Sequence, residues 1–205
     1  MVDYMIELRK NYLTDATSGR TAALDGMTDA LQTVTYAHHE IHAGSSFHVQ
    51  SVDDGVAAAG SVRISFKTPA GTKRAHMIFS FASAGGSHLT IAEGATWTTN
   101  TGTVVVPTNQ KRSSSPTASM LLEDKTATPA YTANGVLTGT TADAAGTTLR
   151  NIYVFGSNKV GGDGSHAAEI ILMPDQTYTI SLTNDEATAK ALILHLDWYE
   201  HTDKI

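Results

Sequence analysis

The chain has 205 residues and a formal net charge of −6, with 14 Lys and Arg against 20 Asp and Glu. That acidic balance argues against a nucleic-acid binder working by phosphate neutralisation. The absence of cysteine removes disulfide frameworks, thiolate metal sites and cysteine nucleophiles, and no apolar run approaches the ~18 residues of a membrane span. Charged residues are only 17% of the chain and hydrophobic ones 41%, which excludes a disordered chain and, with threonine standing where charge usually does, favours strands over long surface helices.

In chain order, the opening MVDYMIELRKNYL has acidic residues early and no apolar core, so it does not read as a secretory signal. Gly19 and Gly26 interrupt any long helix. Residues 1–32 are expected to form an extended arm, with at most a short helical turn near Thr28 to Gln32. An arm that cannot bury much against its own domain often packs on a neighbour, which makes Tyr4, Leu8 and Tyr12 candidate interface residues.

From Thr33 a period of two sets in, and 33–205 is expected to be one β-sandwich domain. Val34, Tyr36 and His38 alternate with Thr35, Ala37 and His39, then Gly44-Ser-Ser supplies a turn. Strands follow at 47–52, 61–67, 75–82 and 88–92. A further strand at 97–106 is broken near Asn100-Thr-Gly102 and stopped by Pro107. Residues 109–148 are irregular. A structureless excursion of that length is unusual in a compact domain, so one or two short strands are expected there, one at Met120-Leu-Leu122. Regular strands return at 149–155, 166–173, 177–183 and 191–198. In the last, Leu192, Leu194, Leu196 and Trp198 share one face, opposite Ile193, His195, Asp197 and Tyr199. Half-apolar sheets must cover their faces, so the fold class is all-β: an antiparallel, jelly-roll-like sandwich with an N-terminal arm.

The densest polar cluster is His38-His39-Glu40-Ile41-His42. On a strand, His38, Glu40 and His42 point to one face, a weak candidate set for zinc. It lacks the zincin pattern, since Glu40 is second after His38 rather than next to it. The plainer reading is a polar face or an interface strand, with His39 and His42 as contacts. No G-x-S-x-G occurs, and the two Gly-Ser-His runs sit at turns. Gly161-Gly-Asp-Gly164 lacks the Lys-Ser/Thr of a P-loop and the oxygens of a calcium site. No catalytic residue and no cofactor is expected. Lys111-Arg112 is a small basic patch suited to an acidic partner, and Trp198 with Tyr199 combines residue types favoured at interfaces.

Residues 160–205 resemble the C-terminal part of a family of tailed-bacteriophage virion structural proteins. The resemblance is carried by Gly161-Gly162, Glu169, Pro174 with Thr177-Tyr178, Leu182-Thr183-Asn184 and the closing Asp197-Trp-Tyr-Glu-His-Thr202, and Tyr36 to Phe47 (YAHHEIHAGSSF) resembles the start of the same domain. The middle departs, with Lys111-Arg-Ser-Ser-Ser where relatives carry an Arg/Asn-rich stretch. The resemblance implies a non-enzymatic, β-rich particle component. The first expectation is a capsid decoration or cement protein on the virion surface. It would bind the major capsid protein and itself, as dimer or trimer, and neither nucleic acid nor membrane. A tail, baseplate or fibre component is the second, with Trp97, Tyr131 or Trp198 stacking on glycan rings. A metal-dependent enzyme built on His38 to His42 is a distant third.

Overall fold

The structure, a computed structural model, describes residues 36–98, 101–113, 115–123, 131–155 and 169–202. The chain divides into two units, Met1–His39 and Glu40–Ile205. Tyr4, Leu8, Tyr12 and the Gly161 to Gly164 run lie outside the described residues.

Among the described residues there is one helix, α1 (Tyr36–Ala43), in the segment whose alternation predicts a strand. Its end is set by Gly44, whose φ of 79° suits glycine. The Gly44 amide donates to the Ile41 carbonyl at 3.1 Å and the Ser45 amide to the Glu40 carbonyl at 3.1 Å. That pair of bonds is the Schellman motif, which satisfies the last helical carbonyls. Thus Gly44 stops a helix here, although a turn between strands uses the same residue type.

Eight strands follow that build two sheets, the first four alternating between them and the last four retracing that alternation in reverse. They are β1 (Ser46–Val56), β2 (Ser61–Lys67), β3 (Lys73–Ser83) and β4 (Ser87–Glu93), then, after an insertion, β12 (Thr147–Val154), β13 (Ile170–Ile171), β14 (Thr177–Asn184) and β15 (Lys190–Thr202). One sheet runs β13-β3-β15-β1 and the other β12-β4-β14-β2, all antiparallel. First pairs with last and second with second-to-last, which is the jelly-roll topology. The expected all-β sandwich is therefore the observed fold.

Period-two patterning builds its core. Phe47, Val49, Met77, Phe79, Phe81, Leu192, Leu194, Leu196 and Trp198 face inward from one sheet. Val62, Ile64, Phe66, Leu89, Ile91, Tyr178, Ile180 and Leu182 face them from the other. Burying each such side chain is worth roughly 1.5–3 kcal/mol. On the outer face of the second sheet, hydroxyls bond across strands: Ser61 to Thr183 at 2.8 Å, Ser65 to Thr179 at 3.0 Å, and Thr90 donating to Asn151 at 2.8 Å. These pairs give the threonine-rich composition a structural use, since cross-strand polar pairs support a solvated sheet face without charge.

The insertion holds β5 (Thr96–Trp97), β6 (Thr103–Val105), β7 (Thr108–Asn109), β8 (Leu121–Glu123), β9 (Tyr131–Asn134), β10 (Val136–Thr138) and β11 (Ala142–Ala144). Four of these begin within 109–148, more than the one or two expected. Strands of two to four residues carry no readable period; they form by adding to edges that already exist. Strand β7 extends the first sheet beyond β1, β10 and β6 extend the second beyond β2, and β5 with β11 makes a separate ribbon. The insertion thus guards one flank of the sandwich. On the opposite flank β12 and β13 are the outermost strands. Of the strand expected at 166–173, residues 166–168 lie outside the described residues, and within 169–173 only Ile170–Ile171 is strand.

Candidate functional site

The residues singled out in the closing segment gather around β15, and most of them are structural pins. The Trp198 ring packs on Phe47 with centroids 5.8 Å apart, and its indole Nε1 donates to Glu200 at 2.9 Å. Glu200, only 4% exposed, also accepts from the Ser119 amide at 2.8 Å and the Ser119 hydroxyl at 2.6 Å, with Lys73 Nζ 3.7 Å away. A buried carboxylate persists only when paired and hydrogen-bonded, and Glu200 is both. It ties the closing strand to the 115–120 segment. Asn184, fully buried, donates to the carbonyls of Val56 and Thr188 at 2.9 Å and accepts from the Glu186 amide at 2.9 Å. It clamps the β1–β2 and β14–β15 turns together. Tyr178 donates its hydroxyl to Glu93 and accepts from the Met173 amide at 2.9 Å. Burial, then the Glu93 hydrogen bond, holds its phenol well above its ordinary pKa.

Two histidine clusters were not foreseen. On the outer face of the first sheet, His48 Nδ1 lies 3.0 Å from Asp197 Oδ1, and Gln110 donates to the same oxygen at 2.6 Å. Ser46 in turn donates to Gln110 at 3.0 Å, and the His195 ring sits 5.5 Å from that of His48. Burial, then the nearby His48 charge, lowers the pKa of His195, with Asp197 opposing. At the other end of β15, Glu169 accepts from Tyr199 at 2.7 Å and meets His76 Nδ1 at 2.7 Å. The His76 ring is stacked against Tyr199 at 4.7 Å and lies 4.3 Å from His201. Segments far apart in sequence meet here because β13, β3 and β15 are adjacent, an order that periodicity does not encode.

The structure corrects several expectations. On a helix each residue turns by ~100°, so Glu40 does not share a face with His38 and His42 as it would on a strand. Glu40 is buried and bonded to the Ser45 hydroxyl, while His38, His39 and His42 are exposed. Among the described residues no three His, Asp or Glu side chains are grouped to hold a metal ion. Trp198 and Tyr199 are 1% and 5% exposed, so neither is a surface contact in this chain. The outward parity expected for Tyr199 holds, but its hydroxyl is spent on Glu169. Trp97 is likewise buried, so neither tryptophan offers a glycan platform, and the side chain of Tyr131 lies outside the described residues. Lys111 and Arg112 are exposed, as a docking patch requires. Lys111 also donates to the His42 carbonyl at 2.8 Å, where a cation complements a helix C-terminus.

These geometries fix strands to one another. Comparison of the chain with protein-family models, with curated proteins and with solved structures gives no match.

Proposed function

We propose that the chain is a structural protein of a tailed-bacteriophage virion: a capsid decoration or cement protein that docks on the outer shell, contacts the major capsid protein and stabilises capsomer contacts. In this reading it works by binding and performs no catalysis. One observation carries it. Two blocks resemble the phage family, Tyr36 to Phe47 and residues 160–205, and the end of the first, Ser45 to Phe47, lies against the closing strand of the second. Ser46 and Phe47 pair with Tyr199 and Trp198, and the Glu200 amide donates to the Ser45 carbonyl at 3.0 Å. The residues that carry the resemblance are also the pins Glu169, Tyr178, Asn184, Trp198 and Glu200. A shared set of pins is what a shared scaffold requires.

The physics of decoration suits such a scaffold. A shell repeats its docking sites by symmetry, so modest single contacts add through multivalency. A rigid sandwich with exposed Lys111 and Arg112 can present the same face at each site. The test is addition of the purified chain to shells that lack it. Saturable binding on the order of hundreds of copies, with shells that then resist heat or chelator better, is the expected result. No binding to shells, together with a dozen or fewer copies confined to the tail of intact particles, favours the tail or baseplate reading instead.

A further inference from the structure

The flank of the sandwich that the insertion does not thicken has the makings of an interface. Its outermost strand, β12, pairs with β4 on one side and, among the described residues, with nothing on the other. Natural proteins guard such edges with lysine, proline or very short strands. Strand β12 has eight residues, no proline and no lysine. Its one charge, Arg150, is turned toward the sandwich interior, with its guanidinium 5.8 Å from the Phe79 ring centre. Its one irregularity is a bulge between Thr148 and Arg150, which leaves a straight run from Arg150 to Val154.

The exposed apolar residues gather on the same flank. Five of the eight large hydrophobic side chains left exposed among the described residues are Leu149 and Tyr153 on β12, Phe155 just beyond it, and Ile171 and Met173 at or just beyond β13. Both strands are the outermost of their sheets, and Arg150 reaching Phe79 of β3 shows β12 lying over the sheet that β13 borders. Tyr153 and Phe155, at 53% and 85% exposure, stack at 5.8 Å and extend through His88, whose ring is 5.2 Å from Tyr153. A strand edge with no neighbour among the described residues, beside a one-sided apolar patch, has the features of an interaction surface.

We propose that this flank joins two copies of the chain, with β12 pairing antiparallel to β12 of a second copy about a two-fold axis at Ile152. The strand is self-complementary in that register. Arg150 falls opposite Val154, and Asn151 opposite Tyr153, so no like charges meet and the straight run pairs along its full length. An axis at Arg150 would oppose two guanidinium groups, and an axis at Asn151 would draw the bulge residue Leu149 into the ladder. Pairing continues the sheet across the dimer and lets the apolar residues of the two flanks cover each other. The inference stands whether or not the capsid reading does.

Two measurements on the full chain test it. Sedimentation equilibrium is expected to give a dimer. Tyr153→Lys combined with Phe155→Lys should weaken the dimer by about tenfold or more, with an unchanged circular-dichroism spectrum. Val106→Lys, exposed on the guarded side of the molecule, should leave the dimer intact. The chain has no cysteine, so Asn151→Cys with Tyr153→Cys can form only the disulfides engineered into it. Directly opposed residues are ~4.5–5.5 Å apart at Cβ, and mild oxidation should give a linked dimer. A monomer at high concentration, a dimer indifferent to the lysine pair, or a failure to cross-link overturns the proposal.

Discussion

Glu200 shows how a single side chain can hold a fold. Three donors converge on its buried carboxylate, from Trp198 and from the amide and hydroxyl of Ser119. Glu200→Ala strands those donors without partners, and an unsatisfied buried group costs ~1–3 kcal/mol. Urea unfolding is expected to show a loss of about 3 kcal/mol for Glu200→Ala and a smaller loss for Glu200→Gln, which keeps the acceptor oxygen. His195 makes the second prediction at this scale. Its folded pKa lies below the ordinary 6.5, so below that pH the unfolded chain takes up the proton more readily than the folded one. Stability should therefore fall as pH drops from about 6.5 toward the folded pKa. His48 and Asp197 also face this site, and Ser80 of β3 lies opposite His195, so the contribution is read as a difference. Thermal melts of His195→Gln should lose less between neutral and mildly acidic pH than those of the parent chain.

Among the elements, legibility followed length and alternation. Strand β2 spans the seven residues its pattern predicts, and β14 and β15 exceed theirs only at the ends, because an uninterrupted alternation over seven or more residues leaves one register that buries every apolar group. The helix α1 was illegible because eight residues rich in histidine satisfy both periods, and its cap glycine mimics a turn. The insertion strands were illegible because they exist only as additions to neighbours. The pins had a sequence signal in the closing block, but their partners, such as Ser119 for Glu200 and His76 for Glu169, follow from strand order. Turn glycines offer a test here. Gly94 and Gly146 have nearly equal φ, 69° and 70°, but a Cβ on Gly94 meets open space while one on Gly146 overlaps the Glu93 carbonyl and the Ala95 amide. Gly94→Ala should cost about 1 kcal/mol from backbone strain alone. Gly146→Ala should cost several times more, because the fixed turn between the insertion and β12 has to move, and chemical denaturation of the two variants checks the contrast.

At the scale of the whole molecule, the insertion makes the two flanks of the sandwich unequal. One is thickened by β6, β7 and β10, and the other ends, among the described residues, on β12 and β13 with exposed aromatic residues. Hydroxyl pairs on the outer face of the second sheet, buried tryptophans and a closing strand pinned at both ends describe a sandwich whose strands are firmly tied to one another. The proposed role in virion decoration would use such a sandwich for binding, with a shell lattice repeating its contacts. A cryo-electron-microscopy reconstruction of a phage particle containing this chain tests that most directly. The account predicts jelly-roll density on the outer capsid surface at symmetry-related positions, touching the major capsid protein. Density for the chain only in the tail, or none on the particle at all, would contradict it.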